Sequence, residues 1–320
     1  MSPANDRPNL LYIFTDQQSF DMMSCAGNDD LRTPAIDSIA EAGVRFNRAY
    51  CTDPVCVPSR FSMMTGRMPS AIGQRSNASR HLPPISDAIL NSALGHQMTR
   101  AGYDAVYGGK EHMPKNLNVE TAGFRNLTAD ERDSLPIVLG DYLQQEHDKP
   151  FAMVASFINP HDICYMAIRA FATSDKDHRL VEKGKKEIGN LDLALNKPAG
   201  MDDEEFFANW CPELPPNYDP QDDEPAMIRG LVNMRGFRQK ARNEWGEKDW
   251  RMHRWAYARL TEFVDGQISR LLHALRTGPH ADNTVVIFSS DHGDHDGSHR
   301  LEHKTALYDE AQRIPFLACG

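Results

Sequence analysis

Asn9-Leu10-Leu11-Tyr12-Ile13-Phe14-Thr15 runs directly into Asp16-Gln17-Gln18. A continuous apolar run without polar alternation, bounded by polar residues, is the pattern of a strand buried on both faces. Thr33-Pro34 then opens a helical pattern in which Ile36, Ile39 and Ala40 share one face and Gly43 is the stop. The alternation continues along the chain. Helical patterns begin near Pro58, carrying Met63 and Met64, and cover 86–100 up to Gly102, 137–145 and 249–275; strand patterns cover 104–107, 151–157, 284–289 and 314–318. Apolar strands alternating with amphipathic helices imply an α/β fold, a mainly parallel central sheet with helices on both faces. The segment 165–245, rich in Asp, Glu, Pro and Asn, departs from this rhythm. It reads as an acidic insertion or lid on one catalytic domain spanning 1–320. Only Cys319 and Gly320 follow the final strand pattern, so a C-terminal subdomain is expected to be missing.

Charge narrows the partners. The 320 residues carry 35 Lys+Arg against 45 Asp+Glu, a net charge of −10. That balance argues against gripping nucleic acid or an anionic membrane, both of which need a basic footprint. Small anionic substrates remain compatible if positive charge is concentrated locally. Six cysteines without a Cys-x-x-Cys pair suit a reducing compartment. The polar start, residues 1–8, and the short apolar run after it lack a signal-peptide core or membrane span. The expected location is cytoplasmic as the chain stands, or periplasmic or secreted if its N-terminus was trimmed. The sequence gives no indication of oligomeric state.

In open α/β sheets, ligands bind beyond the carboxyl ends of strands. Two strands end in suitable groups here: Asp16-Gln17 after the first, Asp291-His292-Gly293 after 284–289. Oxygen and imidazole ligands from separate segments suit a divalent cation. Between them lie Cys56-Val57-Pro58-Ser59-Arg60 and Thr65-Gly66-Arg67. A phosphatase-type thiolate loop would place Arg six positions after Cys, where Ser62 stands. Arg60 is four positions on, one helical turn away, and is expected to reach back to whatever Cys56 becomes.

Cys56-x-Pro58-Ser59-Arg60 with Thr65-Gly66-Arg67 resembles the signature of the type I sulfatases, in the alkaline phosphatase superfamily. Other elements resemble that family in its own order: Asp16, Gly109-Lys110-Glu111-His112, Asn159-Pro160-His161, Ser290-Asp291-His292-Gly293, and the run from Lys304 through Arg313-Ile314-Pro315-Phe316. The resemblance implies that a maturation enzyme oxidises Cys56 to formylglycine. It implies a divalent metal, Ca²⁺ by family habit, held by Asp16, Gln17, Asp291, His292 and residue 56. One hydroxyl of the hydrated aldehyde would attack sulfur, and the other would let the sulfated species collapse by C–O cleavage. Arg60 would position that diol, and Lys110 and Lys304 would neutralise sulfate oxygens. His161 would be the acid for the leaving alcohol and His112 the base for sulfate release.

Many sulfatases carry a second Asp where this chain has Gln17. Gln there resembles the phosphonate monoester hydrolase and phosphodiesterase branch, and the lower ligand charge makes Mg²⁺ or Mn²⁺ admissible. His295, His299 and His303, with Arg300 among them, read as a substrate-facing loop. A zinc site on His295-x-x-x-His299 is disfavoured by Gly297 and by the lack of the His-Glu-x-x-His glutamate. The expected function is hydrolysis of a small-molecule or saccharide sulfate monoester. The alternatives are a phosphonate or phosphodiester hydrolase and, in another class, a catalytically silent binding or accessory protein.

Overall fold

The structure is a computed structural model and describes residues 7–78 and 82–320, so the first six residues of the polar N-terminal stretch lie outside it. The strands are β1 (Asn9–Asp16), β2 (Gly43–Arg45), β3 (Ala49–Tyr50), β4 (Asp104–Gly109), β5 (Arg125–Thr128), β6 (Phe151–Pro160), β7 (Thr284–Ser290), β8 (Arg313–Ile314) and β9 (Phe316–Cys319). Seven of them form one sheet in the order β2-β9-β7-β1-β6-β4-β5. β7, β1, β6, β4 and β5 run parallel, whereas β9 is antiparallel to both of its neighbours. β3 and β8 pair separately as a short antiparallel ribbon.

β1 sits at the centre because its side chains are apolar on both faces. Leu11 and Ile13 join Met153, Ala155, Val286 and Phe288 under Ile36, Ile39 and the Val264, Ile268, Leu271 and Leu272 stripe of the long helix Glu247–Thr277. On the other face, Phe14, Tyr107 and Val154 pack against Phe61, Met64 and Phe124. Burying each such side chain contributes about 1.5–3 kcal/mol, which makes the sheet a stiff platform for its carboxyl edge.

Three sequence expectations change in detail. The single strand at 314–318 is divided by Pro315, which has no N–H to donate, so β8 and β9 serve different sheets. The helix at 86–100 is two pieces, Asp87–Leu90 and Leu94–Arg100, separated at Asn91-Ser92-Ala93; Asn and Ser side chains compete for backbone bonds. The helix near Pro58 begins earlier and spans Cys56–Thr65. Proline is tolerated there because first-turn amides have no partner four residues back.

The segment 165–245 folds as six helices, Tyr165–Ala170, Asp175–Lys183, Lys185–Ala194, Asp203–Asn209, Ala226–Asn233 and Gly236–Glu244. Its charge is uneven: 15 acidic and 12 basic residues overall, but nine acidic and no Lys or Arg within 202–224. Ile228 and Val232 pack on Leu301 and Ala306, either side of Lys304. Among the described residues, no helix is long and apolar enough to cross a membrane.

Candidate active site

The parallel register places Thr15 beside Ser290, so Asp16 and Asp291 emerge together at the carboxyl edge. The turns after the two strands are tied to each other: the Asp291 amide donates to the Thr15 carbonyl at 3.1 Å, and the Gln17 amide donates to Asp291 Oδ1 at 3.1 Å. Gln17 takes a left-handed φ of 71° to make that turn. Cys56, the first residue of its helix, brings Sγ to 3.2 Å from His292 Nε2 and 3.7 Å from Asp16 Oδ1. Asp16, Cys56, Asp291 and His292 are fully buried, and one ligand atom from each lies within 4.8 Å of the others. His292 Nδ1 is 2.9 Å from the Gly293 carbonyl. As donor in that bond it leaves the Nε2 lone pair facing the cluster.

Burial and Asp16 both oppose ionisation of the Cys56 thiol. Lys304, His292 and a hydrogen bond with His112 outweigh them and hold its pKa well below the ordinary value; the helix N-terminus acts in the same direction. Burial also opposes the Asp16 carboxylate, but Lys110, His161 and Arg60 hold it well below the usual range. Asp291 is pushed up by burial and by Asp16. Two buried carboxylates at this separation require compensating positive charge.

Arg60 supplies part of that charge, and its target differs from the expectation. Its Nε donates to Asp291 Oδ2 at 2.7 Å and one terminal nitrogen to Asp16 Oδ2 at 2.9 Å. The other terminal nitrogen donates to the Lys110 carbonyl at 2.8 Å and Ser156 Oγ at 3.0 Å. The guanidinium is thus spent on the carboxylates and the β4–β6 edge instead of reaching back to Cys56, since ionised carboxylates are far better acceptors than sulfur. Lys110 Nζ lies 2.7 Å from Asp16 Oδ2.

Gln17 and Lys304 form a second group. Lys304 Nζ donates to Gln17 Oε1, which also accepts from Cys164 Sγ at 3.1 Å, while Gln17 Nε2 donates to Asp294 Oδ2 at 2.6 Å. Burial pushes the Cys164 thiol up to about 12, so it is a donor here. Sequence reasoning missed Cys164 and Asp294, although each lies three residues beyond a singled-out position, His161 and Asp291 respectively. His161 is partly exposed, but its Nδ1 is buried without a hydrogen-bond partner; burial, Lys110 and Lys304 hold its pKa well below the ordinary value. His112 is exposed, with a left-handed φ of 40°.

The expected substrate-facing loop is arranged otherwise. The His299 amide donates to the Asn217 carbonyl at 2.8 Å, and its ring lies against Tyr308 with centroids 4.4 Å apart. Arg300 donates to Asp219 Oδ1 at 2.9 Å and covers the Tyr218 ring. Both residues therefore clasp the insertion. His295 is buried, with neither ring nitrogen partnered, and burial pushes it down to about 3. His303 is buried against Glu302 and Phe237, a residue of the insertion.

A mainly parallel sheet gathering this cluster at its carboxyl edge defines an α/β protein with a candidate divalent-metal site. The Sulfatase family profile matches residues 8–320, and the chain belongs to that family, the type I sulfatases. It is 28% identical to a Delta 4,5-hexuronate-2-O-sulfatase of Bacteroides thetaiotaomicron, over 99% of this chain and 63% of the relative. It is 24% identical to a choline-sulfatase of Rhizobium meliloti, over 98% of this chain and 63% of the relative. A solved 2-O GAG sulfatase superposes with a TM-score of 0.76 at 26% identity, covering 98% of this chain and 64% of that one. A phosphonate monoester hydrolase of Agrobacterium radiobacter shares the fold, with a TM-score of 0.62 at 17% identity, covering 98% and 68%. The chain thus spans a little under two thirds of the length of these sulfatase relatives.

Proposed function

We propose that the chain is a sulfuric ester hydrolase that cleaves a sulfate monoester to alcohol and sulfate at the Asp16, Cys56, Asp291 and His292 cluster, within one catalytic domain that carries 165–245 as a lid. The observation that carries this reading is the buried Cys56 at a helix N-terminus, between two carboxylates and an imidazole whose ligand atoms lie within 4.8 Å of one another. Two carboxylates and the His292 Nε2 fit a divalent cation, Ca²⁺ first and Mg²⁺ or Mn²⁺ next, and the Gln17 amide oxygen would join them by exchanging a bond from Lys304 or Cys164 for the ion. When bound, such an ion supplies Lewis-acid charge toward sulfate oxygens and a hydroxyl on residue 56. Formylglycine, made from Cys56 by a maturation enzyme, supplies that hydroxyl as its hydrate.

The remaining work falls to side chains. Lys110 and Lys304, 9% and 8% exposed, carry their ammonium groups to Asp16 and Gln17, beside the place a sulfate would occupy, and would spread its charge in the transition state. His112, bonded to Cys56, is the base for sulfate release. His161 is the acid for the leaving alcohol, and an anion bound beside it would raise its proton affinity. The relatives named for hexuronate and GAG substrates support a sulfated saccharide as substrate. Six free cysteines support a reducing compartment.

Gln17 favours the phosphonate and phosphodiester reading as the second one, though the likeness to a phosphonate hydrolase is one of fold alone. Matured protein assayed side by side on sulfated saccharides, aryl sulfates, phosphonate monoesters and phosphodiesters should prefer a sulfate ester. Preference for a phosphonate would reverse the ranking. Mass spectrometry of the Cys56 peptide should show aldehyde, and an unmodified thiol in active natural-source protein would refute the mechanism. No turnover by aldehyde-bearing protein on any of these esters would favour a silent binding protein.

A further inference from the structure

The two ends of the Gln17 amide meet opposite kinds of neighbour. Nε2 donates to Asp294 Oδ2 at 2.6 Å, while Oε1 accepts from the Lys304 ammonium and the Cys164 thiol. An ammonium can only donate, so Lys304 fixes the end of the amide it faces as the oxygen and leaves Nε2 toward Asp294. Asp294 is itself held firmly. It is fully buried, its Oδ1 accepts from the Asp296 amide at 2.8 Å, and its own amide and carbonyl both bond to Ser19 Oγ at 3.0 Å. Ser19 lies two residues after Gln17, so one short stretch anchors both partners. A carboxylate at position 17 would put an acceptor, in place of the Nε2 donor, against the Asp294 oxygen.

We propose that Asp294 is the positioning residue for Gln17: it keeps the amide oxygen on the Lys304 side, and its acceptor oxygen is the reason residue 17 carries an amide donor. The inference rests on the reading of Gln17 as a cation-site group. It accounts for the departure at position 17 by a partner three residues after Asp291.

Calcium titration by calorimetry and metal-free thermal unfolding, both on the full chain, test it. Removing an outer partner of a metal ligand typically weakens binding 10–100-fold, and that loss is expected for Asp294→Ala. Asp294→Asn, whose carbonyl still accepts from Nε2, should bind within about threefold of the parent by the same reasoning. Gln17→Glu should lower both the melting temperature and calcium affinity, and Gln17→Glu with Asp294→Asn should recover both. Parent-like calcium binding by Asp294→Ala, or a Gln17→Glu defect that Asp294→Asn leaves unchanged, overturns the proposal. If the parent protein binds no calcium while the double substitution still rescues melting, the cation-site reading has failed and the positioning role falls with it. That pattern is distinct from failure of the Gln17–Asp294 pair, in which calcium binds and the rescue is absent.

Discussion

Arg60→Met separates the electrostatic role of the guanidinium from any role at Cys56. Arg60 is 1% exposed and bridges Asp16 and Asp291, both fully buried, at 2.9 and 2.7 Å. Removing one partner of a buried pair costs about 3–5 kcal/mol, because the charge left behind is uncompensated. Asp16 keeps Lys110 at 2.7 Å, so the loss falls chiefly on Asp291, and about 4 kcal/mol, the middle of that range, is the working figure. Unfolding entropy near 2.1 cal/mol/K per residue gives about 0.7 kcal/mol/K for a chain of this length, and hence a fall in Tm of about 6 °C. The assay is thermal unfolding in a chelator, so that no bound ion substitutes for the lost charge. Adding Asp291→Asn to Arg60→Met should recover part of the loss, whereas Asp291→Asn alone should destabilise, a coupling of at least about 1.5 kcal/mol in a double-mutant cycle. A Tm within about 1 °C of the parent, or strictly additive effects, would refute the reasoning. Turnover of matured Arg60→Met should fall at least about 10²-fold, the usual consequence of misplacing reacting groups by an ångström.

Lys304→Ala should lower kcat by about 10²–10³, the loss expected for one preorganised charge-stabilising donor, read by steady-state kinetics of matured protein; an unchanged kcat would remove Lys304 from the site. Arg300→Ala breaks a pair whose partners are 41% and 80% exposed, so urea unfolding should show a loss of under about 1 kcal/mol. Asp265 accepts from the Ala35 and Ile36 amides, yet burial pushes its carboxyl up to about 6. The folded state therefore binds this proton more tightly than the unfolded one. The stability that the proton contributes is complete below about pH 4 and is lost as pH rises through 6. Asp265→Asn should then be more stable than the parent at pH 8 by about 1–2 kcal/mol, with the gap closing toward pH 4; denaturant titrations showing Asn less stable at both ends would contradict this.

The central sheet was legible because parallel strands covered on both faces need unbroken apolar runs, which β1, β6 and β7 supply. β5 escaped because Arg125-Asn126-Leu127-Thr128 lies at the sheet edge and carries one apolar residue. The meeting of Asp16 with Asp291 was also legible, since residues after adjacent parallel strands must share an edge. The target of Arg60 was not. Helical spacing states which neighbour lies one turn away on the same helix, whereas the carboxylates that win the guanidinium come from β1 and β7. His299 and Arg300 show the same limit. Their polar types suit a substrate loop, but their facing depends on backbone dihedrals that residue type does not encode.

Those dihedrals connect the insertion to the chemistry. Asp296, His299, Arg300, His303 and Thr305 all have positive φ, between 47° and 107°. For residues with a Cβ each such conformation costs on the order of 1 kcal/mol or more, so the loop carrying Lys304 needs external partners to keep this shape. The insertion supplies them: Asn217 to the His299 amide and Glu310, Asp219 and Tyr218 to Arg300, Gln221 to Tyr308, and Ile228 with Val232 against Leu301 and Ala306. Asp219 and Gln221 come from the stretch 202–224, with its nine acidic and no basic side chains. The insertion thus holds the loop around Lys304 by several contacts together, with the apolar packing of Ile228 and Val232 beside Lys304 and the exposed Arg300–Asp219 pair a minor one. At a Debye length of about 8 Å in physiological salt, the charge of that acidic stretch is largely screened over longer distances, so the groups at the site itself set its local potential.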